Sequence, residues 1–217
     1  MKLRNSKMLD IYTNKPGDYY AKQMSSRGLR SLWFKKRQSI VYGLVKKYWA
    51  GGVVLDIGCG NCLWHQNGIP TLGVDINEAM LKYNKFKLNS FSPLCADISI
   101  GLPVKSNSVD NAVIMEVLEH FKEPGLIINE VFRVLKPGGN VIISVPYGKL
   151  PGLWNLFFAL RCKYKGLIEQ DAYYLNRCGH VVSFNIKNLL QIFNKFEYLE
   201  CLTLIRLTIF LVVKKAR

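Results

Sequence analysis

The sequence predicts an α/β protein: a doubly wound, mostly parallel sheet of about seven strands, preceded by N-terminal helices and finished by an antiparallel strand at one edge. Three observations lead there. Short apolar runs bounded by turn residues recur from residue 53 onward. Helix-length segments separate them, so strand and helix alternate about every 20 residues, the rhythm of βαβ units. The first run ends in a glycine-bracketed turn, Gly58-Cys59-Gly60, where the strand reverses sharply into the next segment. A length of 217 residues with 49% hydrophobic residues suits one such domain. A chain of this size buries about 70% of its unfolded surface, and so needs no disulfide or metal to hold it. The same apolar fraction excludes disorder, and modest Gly and Pro counts exclude collagen-like and low-complexity classes.

The elements follow in order. Residues 19–50 read as helical, with Leu32, Trp33, Ile40, Val41, Leu44, Val45 and Tyr48 set among clustered Lys and Arg. After Gly51 and Gly52 come VVLDIG (53–58), TLGVDI (71–76), PLCADI (93–98), NAVIMEV (111–117) and NVIISVP (140–146), each a buried parallel strand. Segments 77–88 and 122–136 are helices, the second stopped by LKPGGN. FEYLECLTL (196–204) and RLTIFLVVKK (206–215) make two further strands, an antiparallel pair at one edge. The expected organisation is a basic helical segment over 1–50 and one domain over 51–217, with a lid-like insertion at about 147–180.

Charge is unevenly placed. Residues 1–50 carry 12 basic and 2 acidic residues, 51–150 carry 8 and 9, and 151–217 carry 10 and 4, for a net +15. Basic flanks suit nucleic acid, an anionic lipid surface or an anionic substrate, or else a solvated helix face. The first residues, MKLRNSKMLDIYTNKPGDYY, lack a signal peptide's apolar core, and no run of 18 uncharged apolar residues occurs. The expected location is cytoplasmic, with peripheral membrane contact left open, and the cysteines are expected to be reduced.

The chemistry concentrates in VVLDIGCGNC (53–62). Gly58 and Gly60 let the backbone turn and approach a ligand without a Cβ between them. Asp75 lies 17 residues after Gly58, at the end of the second strand, where an acidic side chain accepts hydrogen bonds from ribose hydroxyls. A nucleotide-bearing cofactor is implied. The dinucleotide pattern GxGxxG fails at Leu63, and no Walker loop occurs.

With these residues in view, the chain resembles the class I S-adenosylmethionine-dependent methyltransferases, in their small-molecule, methyltransferase type 11-like branch, which implies a Rossmann-like fold and S-adenosylmethionine as cofactor. Asp56, Gly58, Cys59 and Gly60 match the family's first motif, with Cys62 in place of its third glycine. By the same resemblance Asp75 and Ile76 face the ribose, Asp97 and Ile98 the adenine, and Glu116 the methionine moiety and substrate. VDNAVIMEVLEH (109–120) and EVFRVLKPGGNVIISVP (130–146) are similar to the family's fourth-strand motif and its later helix, turn and strand. His180, in RCGHVVSF, resembles the histidine of a G-H-x-x-x-F element in quinone-type O-methyltransferases and is the candidate general base.

Plainer readings stand beside these. Asp75 and Asp97 could cap local turns, Glu116 and His120 could pair on one helix face, and His180 could be structural. Cys59 and Cys62 form a CxxC, which elsewhere means zinc or redox chemistry; the one further pair available, Cys178 and His180, has no finger spacing, and no metal is expected. In the insertion, Leu153, Trp154, Leu156, Phe157, Phe158 and Leu160 could pack on the core, line an apolar pocket, or dip into a bilayer surface beside Arg161, Lys163 and Lys165. The expected activity is methyl transfer to a small-molecule or lipid-like acceptor. The alternatives are an RNA methyltransferase, which would lack its usual Asn/Asp-Pro-Pro-aromatic signature here, and a non-catalytic adaptor that keeps the fold.

Overall fold

The computed structural model describes residues 10, 12–66, 68–148, 153–168, 170 and 179–217. Its seven-stranded sheet has the order β3-β2-β1-β4-β5-β7-β6. The strands are β1 (Val54–Ile57), β2 (Thr71–Asp75), β3 (Phe91–Cys95), β4 (Val109–Met115), β5 (Leu135–Pro146), β6 (Glu197–Leu204) and β7 (Thr208–Lys214). The pairs β1–β2, β2–β3, β1–β4 and β4–β5 are parallel, whereas β7 runs antiparallel to both β5 and β6. The expected antiparallel pair is therefore present, with β7 inside and β6 on the rim.

From β1 the chain winds outward through β2 and β3, then returns to lay β4 on the other side of β1. Such a reversal opens a crevice beyond the carboxyl ends of the two central strands. Burial sets the sheet's position: all four residues of β1 are buried, because helices cover both faces. On one face Leu55, Ile57, Ile114 and Ile143 meet Ile127, Ile128 and Val131 of α4 (Pro124–Val134). On the other, Val54, Val113 and Ile142 meet Val41, Leu44 and Val45 of α2 (Leu29–Tyr48). The basic N-terminal segment thus supplies part of the core.

Three expectations are corrected. The helical segment 19–50 is two helices, α1 (Tyr19–Ser25) and α2, parted at Gly28, whose φ of 117° no helix accommodates. Leu32 does not join the buried face of α2 and is exposed, whereas Arg37 and Gln38 are buried there. LKPGGN is not a helix stop: α4 ends at Val134, and Leu135 already pairs with Val109. The ladder resumes at Asn111–Asn140, so residues 136–139 bulge out, as suits a stretch where Pro137 has no N–H to give. Third, β3 ends at Cys95 and leaves Asp97 to cap the tight turn Ile98–Ile100 through the Ser99 N–H.

Between β2 and β3 lies α3 (Glu78–Lys87). In the insertion, α5 (Leu153–Leu167) is described as a helix; the side chains of Leu153 to Phe158 and of Arg161 lie outside the described residues, as does Cys178. The last helix, α6 (Ile186–Ile192), starts from a capping box between Asn185 and Asn188. Among the described residues no helix is long and apolar enough to cross a membrane.

One feature of the N-terminus positions the site. The segment around residues 12–20 runs across the end of the sheet as a strap, held by two asparagines. Asn61 donates to the Gly17 carbonyl at 2.6 Å and accepts from the Tyr20 N–H at 2.9 Å. Asn77 donates to the Tyr12 and Lys15 carbonyls at 2.7 and 3.0 Å, while its own oxygen caps α3 by accepting from Met80 N–H. Asn77→Ala removes the cap, which alone is worth about 1 kcal/mol, and leaves two strap carbonyls without this donor. Urea denaturation should show a loss of about 1–3 kcal/mol. Asn77→Asp, which keeps the cap acceptor and loses the donor, should lose less and yet free the strap to limited proteolysis near Pro16.

Candidate active site

The crevice at the strand reversal is a cleft of about 600 Å³ including its mouth. Its floor is the turn after β1. Gly58 and Gly60 have φ of 66° and 48°, in the left-handed region that disfavours side chains. A Cβ on Gly58 would lie 2.6 Å from a Val117 methyl, and one on Gly60 3.2 Å from the Tyr20 ring. Cys62 shares the left-handed backbone, φ 46°, at the place of the family's third glycine, and its N–H donates to the Cys59 carbonyl at 2.7 Å.

Asp75, closing β2, holds this turn: one carboxylate oxygen accepts the Gly60 N–H at 2.8 Å and the other the Asn77 N–H at 2.8 Å. The helix cap itself is Asn77. Asp75 also lines the cleft. Ile76, Met80, Ala96 and Ile98 make an apolar wall, with Asp97 beside them. Glu116, past β4, has φ 55° and closes another side. Ser144 of β5 donates to one of its oxygens at 3.0 Å, and Arg37 of α2 pairs with the other at 2.7 Å. The Arg37 guanidinium in turn lies 4.5 and 4.6 Å from the Trp33 and Phe34 ring centres. The strap roofs the cleft with Tyr12, Lys15 and Tyr20, and the Lys15 ammonium sits 4.4 Å from the centre of the Tyr19 ring. Burial pushes the Tyr20 hydroxyl well above its ordinary pKa.

Of the residues singled out in the sequence, Gly58, Gly60, Asp75, Ile76, Asp97, Ile98 and Glu116 line this one cleft. Asp56 and Cys59 do not. Asp56 is buried behind the turn, where Trp64 Nε1 donates to it at 2.8 Å, and the Cys59 thiol packs under Gly73. Both brace the loop from the core side. Burial raises the thiols of Cys59 and Cys62 well above the ordinary value, a setting that keeps them neutral.

His180 stands one layer back. Its ring centre is 5.2 Å from that of His120, which does line the cleft. His120 Nδ1 is 3.1 Å from both the Gly179 carbonyl and the Tyr12 hydroxyl. Between the two rings lies Glu119, 1% exposed, with one carboxylate oxygen 3.9 Å from each Nε2. Burial first, and then the nearby Glu116 charge, raise the Glu119 pKa well above the usual range. The Glu119 carbonyl accepts the Val181 and Val182 N–H groups, which docks the His180 segment here. Sequence reading missed Tyr12, Lys15, Tyr20, Arg37 and Asn77, which come from the strap and helices. Its one pointer to His120 was the i, i+4 spacing to Glu116.

Residues 55–143 match the model of a family described as a methyltransferase domain. A probable S-adenosylmethionine-dependent methyltransferase of Mycolicibacterium smegmatis is 32% identical over 122 residues, 52% of this chain and 45% of that protein. A ubiquinone biosynthesis O-methyltransferase of Acinetobacter baylyi is 33% identical over 106 residues, 44% of each chain. The chain thus matches less than half the length of these curated relatives. Among solved structures, the cyclase SpnF superposes with a TM-score of 0.63 at 16% identity, over 94% of this chain and 86% of that one, a likeness of fold.

Burial raises the Asp56 carboxyl from 3.8 to about 6. The folded chain therefore keeps this proton to higher pH than the unfolded chain does, and Asp56 destabilises the fold progressively as pH rises from about 4 to about 6. The full effect is about 3 kcal/mol, present above pH 6. Asp56→Asn keeps an acceptor for Trp64 and should lack this fall. Denaturation at pH 4 and pH 7.5 should show the variant gaining on the wild type by up to about 3 kcal/mol between the two.

Proposed function

We propose that this chain, whose residues 55–143 match a methyltransferase-domain family, is an S-adenosylmethionine-dependent methyltransferase that methylates an oxygen of a small-molecule acceptor. The observation that carries the reading is the composition of one cleft: an acidic and apolar pocket at the glycine turn that also takes in His120, with His180 behind that ring. The residues fit the cofactor. Gly58 and Gly60 leave space that a Cβ would fill, and the Asp75 carboxylate, which lines the cleft, suits ribose hydroxyls. Asp97 with Ile76 and Ile98 suits a flat, partly polar ring such as adenine. When bound, the cofactor supplies a sulfonium-activated methyl group for in-line displacement.

The chain's own residues then hold the partners and exclude water. Glu116, fixed by Arg37 and Ser144, presents oriented carboxylate oxygens near the transfer site. His120 is the group nearest the acceptor. Donation of its Nδ1–H to the Gly179 carbonyl leaves Nε2 as an acceptor, the form that takes a proton from a hydroxyl. His180 acts behind it. Relatives named as ubiquinone biosynthesis O-methyltransferases agree with oxygen as the acceptor atom.

A lipid-like acceptor has its own support. On α5 and just beyond it, Leu160, Tyr164, Leu167 and Ile168 are all exposed, and their spacing puts them on one helix face. With the exposed Lys163 alongside, that face suits an anionic bilayer surface. RNA is less well supported, because part of the N-terminal charge is turned inward, where Arg37 pairs with Glu116.

Calorimetry with the demethylated cofactor should show one site per chain. Asp75→Ala should weaken it about 10- to 150-fold, from hydrogen bonds to a charged acceptor worth roughly 1.5–3 kcal/mol each. His120→Ala should leave that affinity intact and lower kcat by about 10²- to 10⁴-fold. No binding by the wild type would overturn the reading. In a separate test, anionic vesicles should co-sediment the protein, and Leu160→Asp with Leu167→Asp should abolish this without changing cofactor affinity. Bulk RNA binding with a steep salt dependence and no vesicle binding would favour RNA instead.

A further inference from the structure

We propose that Trp33 and Arg37, near the N-terminal end of α2, form a recognition subsite for one neutral carbonyl-type oxygen of the methyl acceptor. Each residue carries a buried N–H group that goes unanswered. The Trp33 Nε1–H and the Arg37 Nε–H have no hydrogen-bond partner among the described residues. Leaving a buried donor unpaired is costly, and folded chains keep few of them. Here two such donors sit on side chains four residues apart on one helix, which meet. The Arg37 guanidinium carbon lies 4.5 Å from the centre of the Trp33 ring.

The course of α2 places the pair beside the cleft. At its C-terminal end the Tyr48 carbonyl accepts from the Asn140 side chain, where the parallel ladder of β4 and β5 begins. Arg37, about three turns back, pairs with Glu116 just past the end of β4. The helix therefore runs from the amino edge of the sheet to its carboxyl edge, and Trp33 stands one turn further out. Glu116 lines the cleft, so the two donors adjoin it on the Glu116 side. Their aim is fixed as well. Glu116 holds the Arg37 Nη1 at 2.7 Å and is itself held by the Ser144 hydroxyl at 3.0 Å.

Charge balance decides the class of ligand. The Arg37 charge is already matched by Glu116, so an anion here would enter without a cation of its own. A neutral oxygen needs none. A carbonyl oxygen has two lone pairs and takes both N–H groups, whereas a hydrocarbon leaves both unpaired, and a site built to pair a polar group discriminates strongly against a ligand lacking it. Phe34 completes the surroundings. Its ring centre is 4.6 Å from the guanidinium carbon and 5.0 Å from that of Trp33, edge to face. These rings keep water from the donors and offer apolar surface to the carbon skeleton that carries the carbonyl. The inference rests on the methyl-transfer reading only in calling the ligand an acceptor.

The test follows the indole N–H resonances of the isotope-labelled full chain, with Trp33→Phe assigning the Trp33 signal. Trp49 and Trp64, whose indoles donate to the Gly52 carbonyl and to Asp56, serve as internal references. The probes are meta-hydroxyacetophenone, meta-ethylphenol and meta-hydroxybenzoate, which share ring and hydroxyl and differ in the second substituent. The ketone should move the Trp33 signal downfield and leave the references in place. The ethylphenol should not move it, and the benzoate should bind no tighter than the ethylphenol. Trp33→Phe and Arg37→Lys, with folding checked by circular dichroism, should each weaken the ketone about 2- to 10-fold and leave the ethylphenol unchanged. No Trp33 response to the ketone, or equal responses to ketone and ethylphenol, would overturn the subsite; tighter benzoate binding would overturn its neutral character. The demethylated cofactor, added to the same sample, should leave the Trp33 signal in place. A downfield shift with it, and loss of the ketone response, would give both donors to the cofactor carboxylate and overturn the proposal. Calorimetry with that cofactor separates the two ideas: cofactor binding without a ketone response overturns the subsite alone. A ketone response without cofactor binding upholds the subsite and removes its place in methyl transfer.

Discussion

The carboxylate of Asp75 is the constraint on which the site depends. It takes the Gly60 N–H on one oxygen and the Asn77 N–H on the other, and so joins the turn after β1 to the start of α3. Asn77 passes the constraint on, capping α3 and holding the strap through the Tyr12 and Lys15 carbonyls. Asn84, within α3, returns to the Gly60 carbonyl at 2.7 Å. A few short polar side chains thus fix the floor, one wall and the roof of the cleft relative to one another. Each of these groups bonds to backbone partners, which sets geometry more tightly than apolar packing would.

A second theme is how charge is carried into the interior. Arg37 and Glu116 enter together, with Ser144 completing the carboxylate and two aromatic rings against the guanidinium. Such a pair balances its desolvation by mutual attraction and extra hydrogen bonds. Glu119, three residues on, enters without a donor among the described residues. Two acidic groups so close in sequence are treated oppositely because one faces α2 and the other faces the two histidines. The same division marks the cleft, with a fixed ion pair beside one part and the Glu119–His120–His180 cluster beside another.

The N-terminal segment joins the two themes. Its basic character suggested an arm for nucleic acid or lipid, yet Arg37 neutralises a site carboxylate, Lys15 is buried in the strap, and Val41, Leu44 and Val45 are core. Part of its charge is therefore internal structure. The exposed apolar face of α5 offers the contrasting case, in which apolar side chains spaced for one helix face remain at the surface.

The alternation of apolar runs with helix-length segments determined the fold, since burial on both faces of a parallel strand demands just such runs. The spacing from Gly58 to Asp75, and on to Asp97 and Glu116, likewise determined one side of the cleft, because all four stand at or just past strand ends that a parallel sheet brings to one edge. Local rules failed where a residue's partner lies far along the chain. Asp56 matches the motif but faces Trp64, and LKPGGN looks like a helix stop but bulges within β5. The roof from Tyr12, Lys15 and Tyr20, the Arg37–Glu116 pair and the Glu119–His120–His180 cluster were decided only by tertiary structure. Periodicity reports which face of an element is buried; which side chain from a distant element meets it there depends on packing between elements, and no local pattern encodes that.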